Sequence, residues 1–120
     1  SSHTMDAQIA YAVNQINAHE GKISISHLMN EVNLCQRHFE RKFKLHTGFT
    51  PQKYNSIVKF KNAIKILRNE SSDNLLSVAV KAGYYDASHL SREVKKLSGS
   101  TPNFFLSLPP DNETTIIYTK

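Results

Sequence analysis

The chain is poor in the residues that staple or cross-link small proteins. Of 120 residues none is tryptophan and one, Cys35, is cysteine, so no internal disulfide can form and no cysteine pair exists to hold structural zinc. No apolar run approaches the roughly 20 residues of a membrane span, and no charged-then-apolar signal segment opens the chain. Together these absences predict a soluble protein of a reducing compartment, the cytoplasm. Four glycines and four prolines are too few for a low-complexity chain. No Ser, His and Asp constellation, paired carboxylates or glycine-rich nucleotide loop stands out, so the chain reads as a non-enzyme with no cofactor and no metal. Cys35 and His38 are closely spaced but lack a second Cys or His pair. At this length one compact unit with a single core is expected. Ser1 to Thr4 resemble the remnant of an expression tag and are set aside.

What is abundant is positive charge in one place. The net charge is +5, yet residues 36–68 hold nine bases (Arg37, Arg41, Lys42, Lys44, Lys53, Lys59, Lys61, Lys65 and Arg68) against one acid, Glu40. The remainder is slightly acidic. Such a local field is expected of a polyanion binder, because each neutralised phosphate releases condensed counterions. Charge alone leaves a solvated helix face equally open.

Apolar spacing predicts helices throughout. The first runs from about Asp6 to His19 on Ile9, Val13 and Ile16, with Gly21 to stop it. A second, capped by Ser24 or Ser26, turns Leu28, Met29 and Val32 inward. A third starts near Cys35 or Gln36, runs to about His46 on Phe39 and Phe43, and stops at Gly48. Thr50 and Pro51 open a long helix to about Asn69, since Thr caps well and Pro suits the first turn. After a polar break at Ser71 to Asn74 come helices at about Leu75 to Ala82 and Asp86 to Leu97, the second stopped by Gly99. Thr101 and Pro102 open a last helix through Phe104, Phe105 and Leu108. The aromatic residues are read as core rather than as stacking platforms. The segment Asp111 to Lys120 is expected to be a mobile tail, although Thr114 to Thr119 is rich in β-branched residues.

The chain also contains its own duplicate. Ile25 to Tyr54 laid over Leu76 to Phe105, 51 positions on, pairs Ser26 with Ser77, His38 with His89, Arg41 with Arg92, Lys44 with Lys95, Gly48 with Gly99, and Thr50-Pro51 with Thr101-Pro102. Phe39 and Phe43 fall on Leu90 and Val94. Each copy is helix, short turn, helix, glycine stop, Thr-Pro start, which is a helix-turn-helix unit. The fold class is therefore all-α: two such units, at about residues 24–49 and 75–108, joined by a long central helix at about 51–69, with about seven helices in all.

A helix-turn-helix lays its second helix in the major groove. In the first unit Arg37, Arg41 and Lys44 share a face, with Gln36 and Glu40 beside them. In the second, Ser88, Ser91, Arg92 and Lys95 oppose Leu90, Val94 and Leu97. These side chains suit base edges: Arg pairs with guanine, Gln with adenine, Glu accepts from cytosine and Ser adapts to either. Ser77 and Asp86 read as helix caps, and Gly48 and Gly83 as turn or stop residues.

The stretch Ala82-Gly83-Tyr84-Tyr85-Asp86-Ala87-Ser88-His89-Leu90-Ser91-Arg92, continued by Lys95, Gly99, Thr101 and Pro102, resembles the signature of AraC-type (AraC/XylS) transcription regulators. Lys59-Phe60-x-x-Ala63-x-x-Ile66-Leu67 resembles that family's central helix, so the likeness covers about Met5 to Leu108. The chain departs from the pattern at Leu90 and Val94, where Phe is usual, at Lys59, where Arg is usual, and at Cys35, where a Ser-like cap is usual. The resemblance implies sequence-specific binding of double-stranded DNA by a bacterial regulator, commonly an activator that contacts RNA polymerase. It also implies a sensor or effector segment outside this chain. By position it makes Gln36, Arg37, Glu40, Arg41, Ala87, Ser88, Ser91 and Arg92 candidates for base reading. Lys44, Lys59, Lys65, Lys95, Ser77, His38 and His89 become candidates for phosphate contact. The competing readings are a helical module whose basic face meets an acidic protein, and a binder of structured RNA. A linker of about 18 residues spans roughly 27 Å, which predicts that one monomer enters two successive major grooves.

Overall fold

A computed structural model describes residues 6–69 and 74–109. Among these residues are seven helices and no strand. Residues 1–5, the segment Asp111 to Lys120 expected to be mobile, and most of the polar break lie outside the described residues.

Helix α1 (Ala7–Ala18) starts where the Asp6 carboxylate accepts the Gln8 N–H at 2.9 Å. It stops at two successive left-handed residues, Glu20 and Gly21, with the Gly21 N–H returning to the Ile16 carbonyl at 3.0 Å. Helix α2 (Ile25–Val32) is capped by Ser24, and α3 (Gln36–Thr47) begins after Cys35. Helix α4 (Pro51–Asn69) starts on the Thr50 hydroxyl, which accepts the Lys53 N–H at 3.2 Å. Then follow α5 (Leu75–Ala82), α6 (Ala87–Ser98) and α7 (Pro102–Leu106).

The expectation of a single core is corrected, because the apolar residues close around two centres. The first unit buries Ile9, Ala12 and Ile16 of α1, Leu28 and Val32 of α2, and Phe39 and Phe43 of α3. Tyr54 of α4 completes an edge-to-face aromatic series, 5.5 Å from the Phe43 ring, which itself lies 5.7 Å from Phe39. The second unit buries Phe60, Ala63, Ile64 and Leu67 of α4 with Val78, Ala79 and Ala82 of α5 and Tyr84, Leu90, Val94 and Leu97. Leu90 and Val94, smaller than the family's usual Phe, are fully buried. The physical reason for two cores is that each helix-turn-helix has its own lid: α1 covers the first, and the C-terminal half of α4 covers the second.

That arrangement extends the duplication. Fifty-one positions separate Ile9 from Phe60, Ala12 from Ala63, Val13 from Ile64 and Ile16 from Leu67, and these are the lid residues of the two cores. Between the lid and the second helix of each helix-turn-helix, however, the register slips. The α2 cap is Ser24 and the α5 cap is Asn74, 50 positions on, and the left-handed ends at Asn33 and Gly83 keep that offset. It returns to 51 at Cys35 and Asp86, so the second turn is one residue longer. The pairing of Ser26 with Ser77 was therefore a coincidence of identity. Leu34 of the first turn packs on its core and corresponds to the buried Tyr84. This leaves Tyr85, 88% exposed, as the additional residue.

Candidate nucleic-acid interface

Phe39 and Phe43, one turn apart and fully buried, fix the rotation of α3. Gln36, Arg37, Arg41 and Lys44 are consequently exposed, Glu40 is half-buried, and with Thr50 they line one shallow concavity. Lys42 faces away from them, its ammonium 2.8 Å from the Asp6 carboxylate. That hydrogen bond holds the Asp6 carboxyl below its ordinary value, against a smaller opposing effect of desolvation. The positive charge of the concavity thus comes from Arg37, Arg41 and Lys44.

Glu40 is already engaged. Its Oε2 accepts from Gln36 Nε2 at 3.3 Å and from Gln52 Nε2 at 3.2 Å. Gln52, in the first turn of α4, escaped the sequence reading because an exposed polar residue in the next helix has no periodic signal.

In the second unit Asp86, in extended backbone, accepts the His89 N–H at 2.8 Å and starts α6. Leu90, Val94 and Leu97 turn inward, which leaves Ser88 and Arg92 exposed and Ala87 and Ser91 half-buried. Ser91, Arg92, Lys95 and Lys96 line a second shallow concavity with Thr101, Pro102 and Asn103. Lys95 donates to the Gly99 carbonyl at 3.0 Å, satisfying the end of its own helix.

Several phosphate candidates have other duties. The expectation that Ser77 caps a helix is corrected: Asn74 is the cap and accepts the Ser77 N–H at 2.8 Å. The one-residue slip is the reason. His89 is half-buried, with Nδ1 facing the Tyr85 N–H at 3.2 Å and its ring edge-to-face with Tyr84 at 5.1 Å. The Lys59 ammonium lies 5.1 Å from the centre of the Tyr84 ring. Burial, and then the charge of Glu93, push the Tyr84 hydroxyl far above its ordinary pKa, so it stays protonated. Lys65 is exposed on α4 and His38 is half-buried. Phe104, expected in the core, is 50% exposed, because α7 has only five residues and buries Pro102 while Phe105 packs on the core.

Among the described residues no group of three or more His, Cys, Asp or Glu side chains gathers as for a metal ion. No described helix is long and apolar enough to cross a membrane.

A family model described as a helix-turn-helix domain matches residues 28–107. The HTH-type transcriptional activator RhaS of Pectobacterium atrosepticum is 28% identical over 86 residues, covering 72% of this chain and 30% of its own length. RhaS of Escherichia fergusonii is 28% identical over 98 residues, covering 81% and 35%. The chain thus spans about a third of these relatives. Among solved structures, the C-terminal domain of AraT, a response regulator from Geobacillus stearothermophilus, superposes with a TM-score of 0.79 at 17% identity, covering 92% of this chain and 93% of that one. The DNA-binding domain of AdpA, solved with a target DNA, gives 0.75 at 20% identity, covering 85% and 92%. These likenesses show a shared fold.

Proposed function

Because the chain belongs to the AraC-type helix-turn-helix family of bacterial DNA-binding transcription regulators, we propose that it reads a specific double-stranded DNA site with α3 and α6 in successive major grooves. The observation that supports this best is the matched construction of the two helices. Each has a fully buried apolar back, a glycine stop and, at one register, an exposed arginine, Arg41 or Arg92. Gln36, Arg37 and Arg41 face base edges in one groove with Glu40 between them, and Ala87, Ser88, Ser91 and Arg92 face base edges in the other. Ala87 offers only its methyl group, which suits thymine. Lys44 and Lys65 are exposed for phosphate, with Lys59, Lys95, Ser77, His38 and His89 as further phosphate candidates.

The curated relatives are named activators, and activation is the output we propose, with RNA polymerase as the protein partner. A sensor or effector segment outside these residues sets when binding occurs, and DNA reading of this kind takes place in the cytoplasm. Selection of bound duplexes from a random pool tests the reading. One enriched sequence should be held at least about a thousandfold more tightly than scrambled duplexes at the same salt. Equal binding of all duplexes, or preference for an acidic protein or a folded RNA, would establish one of the competing readings instead.

A further inference from the structure

The three-residue cluster Gln36, Glu40 and Gln52 does more than line the first concavity. Resting on the reading of α3 as a base-reading helix, we propose that Glu40 is a positioning residue. With Gln52 it fixes the amide of Gln36 so that Gln36 selects one adenine-containing base pair.

The chemistry follows from what a carboxylate can do. Ionised Glu40 only accepts hydrogen bonds, so the nitrogen end of the Gln36 amide must face it, as the 3.3 Å contact shows. One N–H of Gln36 is thereby used, and the other N–H stays beside Oε1. That remaining donor and acceptor pair matches N7 and the N6 amino group of adenine in the major groove. A glutamine without such an anchor can turn its amide over and present the pair reversed. Gln52, reaching the same Glu40 oxygen at 3.2 Å from the first turn of α4, holds the carboxylate from the opposite element.

Two further observations agree. Glu40 is the single acid among Arg37, Arg41 and Lys44, and a carboxylate on a surface that meets phosphates opposes binding unless it has a use there. The duplicate also lacks the whole device. Fifty-one positions on from Gln36, Glu40 and Gln52 stand Ala87, Ser91 and Asn103, so no carboxylate anchors an amide at this place in the second unit.

The test measures base preference at each position of the selected site for Gln36→Ala, Glu40→Ala, Glu40→Gln, Gln52→Ala and the Gln36→Ala/Glu40→Ala double variant. Gln36→Ala should relax discrimination at one base pair by about tenfold. Glu40→Ala and Gln52→Ala should relax the same base pair by roughly three- to tenfold, while affinity for scrambled duplexes holds or rises for Glu40→Ala because an acid is gone. Glu40→Gln keeps an acceptor oxygen and should retain most of the preference. The double variant should be no worse than Gln36→Ala. If Glu40→Ala relaxed a different base pair additively, Glu40 would itself be a base reader and the proposal would fall. It would fall equally if Gln52→Ala left every preference intact. If Gln36→Ala changed no position, base reading by the start of α3 would be wrong, and the relay with it.

Discussion

Cys35 occupies the N-cap of α3 in extended backbone and makes no side-chain cap bond, whereas Asp86 at the same place in the second unit caps α6 at 2.8 Å. Cysteine supplies a weak acceptor where an oxygen is wanted. Cys35→Ser should therefore stabilise the protein by about 0.5 to 1 kcal/mol, seen as a higher urea midpoint at unchanged slope; an unaltered midpoint would contradict the cap assignment. The exposed arginines make the opposite kind of contribution, since they hold neither core together. Arg41→Ala and Arg92→Ala should each weaken the specific complex by about 1 to 3 kcal/mol and relax particular base pairs. Lys65→Ala should instead weaken all duplexes alike and reduce the salt dependence of binding by about one counterion. Competition assays at two salt concentrations separate the two behaviours, and uniform loss with the arginine variants would refute base reading.

Among the elements, α3 and α6 end in one construction. Gly48 and Gly99 lie at φ 85° and 80°. Just before them Thr47 and Ser98 return their hydroxyls to the carbonyls of Phe43 and Val94, at 2.8 and 2.7 Å, and accept the N–H of Phe49 and Ser100. A Cβ added at either glycine meets nothing within 4 Å, so Gly48→Ala or Gly99→Ala should cost only the left-handed backbone penalty, about 1 to 2 kcal/mol. Thermal unfolding measures it, and a much larger loss would mean that packing rather than conformation selects glycine. Helix α1 is tied to α3 by Asp6 and Lys42. The folded carboxyl titrates below its ordinary value of 3.8, so this contribution is complete above that value and fades as pH falls through the lower, folded one. Lys42→Met should be less stable than the parent at neutral pH, and denaturation curves of the two should converge as pH drops below about 4. Helix starts and stops such as Thr50-Pro51 and Gly48 were legible in the sequence because their causes are local. The slip between α2 and α5 was not, since the chance identity of Ser26 and Ser77 favoured an ungapped register over the true caps, Ser24 and Asn74.

For the molecule as a whole, the proposed reading by two helices of one chain requires a spacing on DNA as well as a sequence. Helix α4, with 19 residues, is about 28 Å long, near the scale of one duplex turn, roughly 34 Å. Footprints should show two protected patches about 10 base pairs apart, and inserting about five base pairs between them should remove the contribution of one. Unchanged affinity and protection after the insertion would eliminate two-groove engagement. The basic faces of α3 and α6 were legible because a buried stripe at helical spacing dictates what remains outside. Gln52 was not, because its partner Glu40 sits 12 residues earlier on another helix. Phe104 misled because an aromatic residue in a five-residue helix need not find a core. The two separate cores have a consequence for inheritance. A change that loosens Phe43 or Tyr54 is felt inside one interior, and Leu90 and Val94 can shrink without a compensating change around Phe39. Each half can therefore drift in sequence under its own constraints, so under the proposed two-groove reading a regulator of this build can acquire a new half-site while retaining the old one.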